Sequence, residues 1–201
     1  MPSSSLRPAL LALVAGWVDA IGLLQANIFA GPMTGNTTVL GLSLAQAKWH
    51  QATWLGLTIA TFVCASVAAR WATRQLGSPR WAILAATTLM LLATLARTMP
   101  RDMLLLAAAT ALANSASLHY GKLGLNIAFV TGDLAKAADA TADAVAPGPT
   151  QPRSTIPTVA ALWAYYALGA TAGTVAQTTL QPPLLPQAWC VPLLPLSLLL
   201  P

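Results

Sequence analysis

The sequence predicts an all-α, polytopic membrane helix bundle, and its composition and apolar runs carry that prediction. Hydrophobic residues make up 56% of the 201 residues and charged residues 7%, whereas soluble domains carry about 25% charged residues. The mean hydropathy is +0.65. So few polar side chains cannot cover a soluble globule of this size. The composition therefore excludes a soluble enzyme, a nucleic-acid-binding protein and a disordered chain.

Six apolar segments predict about six membrane spans in chain order. They cover residues 8–24, 55–69, 81–96, 103–118, 156–175 and 184–200. Tryptophan and arginine flank several of these runs, as interface anchors do. The first segment also has the form of a signal peptide, an alternative that the later apolar runs disfavour. The sixth contains three prolines, which kink helices.

Two shorter segments, residues 37–47 and 134–146, are too short or too polar for plain spans. They follow the matching triplets Thr34-Gly35-Asn36 and Thr131-Gly132-Asp133, which lie 97 residues apart. Threonine, asparagine and aspartate cap helix N-termini, so each triplet is expected to precede and cap a short helix. Caps at the membrane surface are the alternative to caps inside the bilayer.

The paired triplets predict two inverted repeats, residues 1–98 and 99–201, each with three spans and a short broken or re-entrant helix. Eight spans in parallel repeats are the alternative. Lys136, Asp139 and Asp143 disfavour it, because they share one face of the second short helix and are costly to place in lipid.

The net charge of +5 is interpreted as an orientation signal. The cations are scattered, with no basic run that could follow a phosphate backbone, so no nucleic-acid partner is expected. With the N-terminus inside, seven cations lie on the cytoplasmic side and three outside. This distribution predicts that both termini are cytoplasmic.

Polar residues in apolar surroundings are the candidate site. Asp19 lies within the first span, where a carboxylate must be paired or protonated. It is interpreted as a proton- or cation-binding group, with a structural hydrogen bond to Asn114 as the alternative. The full set of candidate substrate- or ion-binding residues is Asp19, Thr34, Gly35, Asn36, Asn114, Thr131, Gly132 and Asp133.

Two short-helix N-termini favour an anionic ligand, but the carboxylate of Asp133 makes a zwitterion or a proton-coupled solute equally compatible. No metal-ligand set, cofactor motif or catalytic constellation is recognised, so no enzyme activity is expected. The function hypothesis is a transporter or channel for a small polar or anionic solute, with proton coupling as one form of it. The alternative is a non-transporting scaffold or subunit of a membrane complex. A homodimer is left open. Gly169 and Gly173 form a GxxxG pattern that predicts close helix packing.

Several of these motifs resemble one known family. Residues 15–22 read AGWVDAIG, residues 33–36 read MTGN, and residues 113–114 and 130–133 read AN and VTGD. Together they resemble the YoaK-like family of bacterial integral membrane proteins, a domain of unknown function, over roughly residues 8–180. The second triplet usually ends in asparagine in that family, whereas this chain has Asp133. The resemblance implies an inner-membrane, multi-pass location.

Overall fold

The computed structural model describes residues 6–78, 80–96, 100–117, 130–145, 155–179 and 191–199. All regular structure in these ranges is helical, which confirms the all-α prediction. The helices are α1 Leu6–Ala26, α2 Met33–Ala45, α3 Trp49–Leu76, α4 Arg80–Ala96, α5 Asp102–Ser117, α6 Val130–Val145, α7 Thr155–Thr179 and α8 Leu193–Leu196, followed by a 3-10 turn Ser197–Leu199.

Three of the described helices, α1, α3 and α7, are long and apolar enough to cross a membrane. Helices α4 and α5 are apolar but shorter, with 17 and 16 residues. These apolar helices are compatible with a membrane protein. The predicted sixth span lies outside the described residues before residue 191, and the described part becomes helical only at Leu193. The prolines there, Pro192 and Pro195, limit α8 to four residues.

Backbone geometry explains where the long helices end. Asn27 follows α1 in the left-handed conformation, with φ 54°. The Asn27 N–H donates to the Leu23 carbonyl at 3.0 Å and the Ile28 N–H donates to the Gly22 carbonyl at 3.3 Å. The bond from Asn27 to Leu23 is the αL C-cap motif, and the two bonds together satisfy carbonyls at the end of α1 where the chain turns sharply.

The closest helix pair is α1 with α7. A Cβ at Gly169 would overlap the Leu13 carbonyl, and one at Gly173 would lie 2.8 Å from the Trp17 carbonyl oxygen. Both glycines are therefore required for the backbones to approach, which confirms the packing predicted from the GxxxG pattern. Because successive residues of α7 meet successive residues of α1, the two helices run in the same direction.

The remaining helices build the rest of the bundle. Helix α5 packs on α3 and α4, α2 packs on α3, α6 packs on α7, and α8 contacts α1 and α4. Near the start of α1, the Arg7 guanidinium donates to the Ser197 carbonyl at 2.6 Å. Residues at the end of α1 and the beginnings of α3 and α5 line one cavity. The bundle thus has one end with the start of α1 and residue 197, and an opposite end where α1 stops and α3 and α5 begin.

Candidate functional site

The segment between α1 and α2 turns back into the bundle. Asp19 lies seven residues before the end of α1, about 10 Å along the helix axis. Its Oδ1 accepts the backbone N–H groups of Ala30 and Gly31, each at 2.8 Å. A Cβ at Gly31 would lie 3.3 Å from both the Asp19 carboxylate and the Thr110 methyl group. The chain therefore returns to the level of Asp19 and passes between α1 and α5.

Helix α2 begins inside the bundle as a result. Its first residue, Met33, packs in one buried cluster with Phe62 of α3 and with Ala107 and Ala111 of α5. Phe62 lies in the middle of the 28-residue α3, and the two alanines lie in the middle of α5. The N-terminus of α2 is therefore level with the middle of its neighbours.

The first triplet does not cap α2. The residue before the helix is Pro32, which makes no side-chain cap hydrogen bond, so the first triplet lies within the first turn rather than before it. Helix α6 begins at Val130, which places the second triplet at the same first-turn positions. Both short helices start four residues earlier than predicted, and the predicted capping role of the first triplet is wrong. The shared register of the two triplets is retained.

Asn36 instead holds the returning segment. Its side-chain Oδ1 accepts the Phe29 N–H at 2.8 Å, and its Nδ2 donates to the Phe29 carbonyl at 2.7 Å. Gly35 faces the Phe29 ring, which a Cβ would meet at 3.0 Å. Thr34 is exposed, and its carbonyl accepts the Thr38 hydroxyl at 3.1 Å. In the first triplet, Asn36 therefore holds the returning segment by two hydrogen bonds, Gly35 leaves space for the Phe29 ring, and Thr34 faces outward.

The side-chain partner of Asp19 is Tyr166 of α7. The tyrosine hydroxyl donates to Asp19 Oδ2 at 2.7 Å. With Ala30 and Gly31 on Oδ1, the carboxylate accepts three hydrogen bonds while only 2% exposed. The alternative interpretation of Asp19, an interhelical hydrogen bond, is thus present, but its partner is Tyr166 of α7 and not Asn114. A tyrosine in an apolar helix, close in sequence to the packing glycines, was the signal that sequence reasoning missed.

The second triplet lies on a different helix pair. Asp133 is buried and forms an ion pair with Lys136, with 2.8 Å between Asp133 Oδ1 and Lys136 Nζ. Gly132 is exposed, and the side chain of Thr131 lies outside the described part of the chain. Because α6 packs on α7 whereas α2 packs on α3, the two triplets are carried by separate helix pairs. Lys136 and Asp139 are both solvent-accessible on α6.

Comparison with known families agrees with the motif pattern. A family model described as "Protein of unknown function (DUF1275)" matches residues 8–199. The chain belongs to this family. No curated protein and no solved structure matches the chain. The match confirms the resemblance noted from the motifs and extends it to residue 199.

In this DUF1275 protein, Asn114 lines a cavity of about 20 Å³ where α1 and α5 meet. A volume of this size holds a single water molecule. Ala15 of α1 and Thr110 of α5 lie on facing walls, with Met90 of α4 and Leu194 of α8 beside them. None of the triplet residues whose side chains the structure describes lines this cavity or the larger one described below. Among the predicted site residues, Asp19 and Asn36 are brought to the same returning segment, and Asn114 lies apart from them on α5.

Proposed function

We propose that this protein is a non-enzymatic transporter that carries a small polar or anionic solute across the cytoplasmic membrane. One observation carries the proposal. Helix α2 begins in the middle of the bundle, after a buried segment that Asp19 and Asn36 hold by hydrogen bonds to its backbone. Interrupted segments at this depth are where membrane transporters place their binding sites, because the exposed backbone groups need partners there.

The packing pattern supports two inverted repeats, residues 1–98 and 99–201. Exchanging α1–α4 for α5–α8 maps the contact of α1 with α7 onto that of α5 with α3. It also maps α2 on α3 onto α6 on α7, and α4 on α5 onto α8 on α1. Helix α1 ends where α5 begins, so these two counterparts run in opposite directions. In this proposal the chain has six spans, with α8 in the last of them, and both termini face the cytoplasm.

The Asp19–Tyr166 hydrogen bond joins the proposed halves. Asp19 belongs to the first repeat and Tyr166 to the second, and the bond is 2.7 Å long in a buried site. We assign Asp19 the role of the coupling carboxylate, since protonating it would remove the charge that its three donors stabilise. The one-water cavity beside Asn114 lies between the same two repeats. It is the closed form of the solute pathway, which opens when the repeats rock against each other.

A non-transporting scaffold is the second candidate, and a specific observation favours it. The Asp19 carboxylate and the Asn36 amide are hydrogen-bonded to the protein's own backbone, and Asp19 also to Tyr166. A scaffold needs such dry, fully paired polar groups, whereas a transporter must expose them at some stage of its cycle.

Cysteine accessibility in sealed vesicles tests the topology. Cys64 and Cys190 are first replaced, and Thr34→Cys and Gly132→Cys are made separately because both positions are exposed. Gly35 is less suitable, since any side chain there would displace the Phe29 ring. A membrane-impermeant maleimide should label Thr34→Cys only from outside and Gly132→Cys only from inside, with Gln46→Cys as the outside control. Labelling of both test positions from one side contradicts inverted repeats.

Flux separates the transporter from the scaffold. The protein is reconstituted in vesicles containing a pH-sensitive dye and exposed to a panel of small carboxylates and amino acids. A transporter should give a solute-dependent dye signal that Asp19→Asn abolishes while the folded protein is retained. No signal from any solute of the panel, with the folded protein present in the vesicles, would favour the scaffold.

A further inference from the structure

A larger cavity lies at the end of the bundle where α1 stops and α3 and α5 begin. Its volume is about 250 Å³, more than ten times that of the central cavity. Ile28, the buried residue that starts the returning segment, forms part of its wall, and Pro100 closes it from the α5 side. The cavity is large enough for a small organic molecule.

The polar wall of this cavity is built from neutral side chains. Gln25, His50, Gln51 and Trp54 supply its polar groups, and no Lys, Arg or Asp is among its lining residues in the described part of the chain. A charged ligand buried here would lose hydration without gaining an opposite charge. The lining therefore selects for a neutral molecule.

The orientation of two of these groups is fixed by hydrogen bonds. The Trp54 indole N–H donates to His50 Nε2 at 3.2 Å, with the rings edge-on at 6.3 Å. Nε2 is the acceptor in this contact, which fixes the orientation of the imidazole against the indole. The Gln25 amide donates to Gln177 Oε1 of α7 at 2.7 Å, which holds Gln25 at the rim.

Gln51 is the side chain best placed to recognise a ligand. It is partly buried in the cavity wall, and its side chain makes no hydrogen bond within the described ranges. A glutamine amide presents a donor and an acceptor side by side, which match the edge of another amide or of a nitrogen heterocycle. One turn away, Trp54 offers an aromatic ring against which a planar ligand can stack.

We propose that this cavity binds a neutral, planar solute that carries an amide or amide-like edge. The ring stacks on Trp54 while the amide edge pairs with Gln51. The proposal concerns binding at the bundle end and does not require that the protein transports anything. Binding is measured without flux, so its outcome is independent of the transport experiment.

The test uses nicotinamide as the probe, with nicotinate as its charged counterpart of nearly the same shape. Binding to the full chain in lipid nanodiscs is followed by titration calorimetry, with empty nanodiscs as the blank. Nicotinamide should bind saturably with one site per chain. Nicotinate should bind at least about tenfold more weakly, since the described residues of the cavity wall offer its carboxylate no Lys or Arg.

Matched variants locate the site. Gln51→Ala should weaken nicotinamide binding about tenfold, the effect of one lost hydrogen-bonding group. Gln46→Ala, an exposed glutamine at the end of α2, should leave it unchanged. Trp54→Ala should weaken binding at least as much, whereas Trp71→Ala removes an exposed tryptophan of α3 outside the cavity and should have no effect. Trp54→Phe keeps an aromatic ring and should retain most of the affinity.

Three results would overturn the proposal. The first is no saturable binding of nicotinamide, or of benzamide as a second neutral probe, up to their solubility limits. The second is equal binding of nicotinamide and nicotinate. The third is nicotinamide binding that remains as strong in Gln51→Ala and Trp54→Ala as in the Gln46→Ala control, because the molecule would then bind elsewhere.

Discussion

Replacing Asp19 by alanine should destabilise the protein far more than replacing it by asparagine. Alanine leaves the N–H groups of Ala30 and Gly31 and the Tyr166 hydroxyl without their acceptor in a buried site. An unsatisfied buried donor costs about 1–3 kcal/mol, and interhelical hydrogen bonds in membranes average about 0.6 kcal/mol. Between these limits, the three lost bonds predict a loss of about 3 kcal/mol in the free energy of unfolding.

Asparagine keeps most of this arrangement. Its Oδ1 can accept both backbone N–H groups, and its amide can donate to the Tyr166 oxygen. The loss for Asp19→Asn should therefore stay below about 1 kcal/mol. In a double-mutant cycle, Asp19→Ala and Tyr166→Phe should show a coupling energy of about 1 kcal/mol, within the range measured for membrane helices.

The assay is reversible unfolding in mixed detergent micelles with increasing SDS, followed by tryptophan fluorescence. Tyr165→Phe is the matched control, because it removes the adjacent hydroxyl of α7 and leaves the Asp19 contact intact. A loss below about 1 kcal/mol for Asp19→Ala would refute the reasoning. So would a coupling of Asp19 with Tyr166 no larger than its coupling with Tyr165.

Three further predictions use the same titration. Asn36→Ala should lower the free energy of unfolding by about 2 kcal/mol, because both hydrogen bonds to Phe29 are lost. Asn36→Asp should be no more stable, since a carboxylate would face the Phe29 carbonyl. Wild-type stability of either variant would contradict the role of Asn36 in holding the segment. Gly169→Val should push α7 away from the Leu13 carbonyl and cost about 3 kcal/mol or abolish monodisperse protein in size-exclusion chromatography, and a stable, monodisperse variant would show that the helices do not touch there. Ala47→Gly should raise the free energy of unfolding by about 0.5 kcal/mol. Ala47 has φ 54°, and glycine relieves that backbone strain at some entropic cost. A lower unfolding midpoint for this variant would contradict the prediction.

Helix content could be predicted from the sequence because it follows from local apolar runs. The first span, the GxxxG contact and the two short helices needed only neighbouring residues to be recognised. The register of the triplets was missed since Pro32 ends the preceding segment and lets α2 begin at Met33. Threonine, glycine and asparagine occur both at the N-cap and in the first turn of a helix. The backbone conformation is therefore needed to tell the two positions apart.

The partners of Asp19 could not be predicted for a different reason. A carboxylate in an apolar segment predicts that hydrogen-bond donors lie near it, but the sequence does not identify those donors. Two of its donors are backbone N–H groups, which every residue but proline has, and the third is a hydroxyl 147 positions away. Asn114 was the obvious polar candidate, yet the helix directions place it on a cavity wall instead.

The pairing of α1 with α7 has a consequence for biosynthesis. Ribosomes make α1 first, and α7, which packs along α1 and donates to Asp19, emerges only after five other described helices and the segments that join them. Until α7 is made, the Asp19 carboxylate can accept from Ala30 and Gly31 but lacks its Tyr166 donor, and the face of α1 that packs on α7 is uncovered. Variants that slow translation before α7 should therefore be degraded more than variants that slow it afterwards.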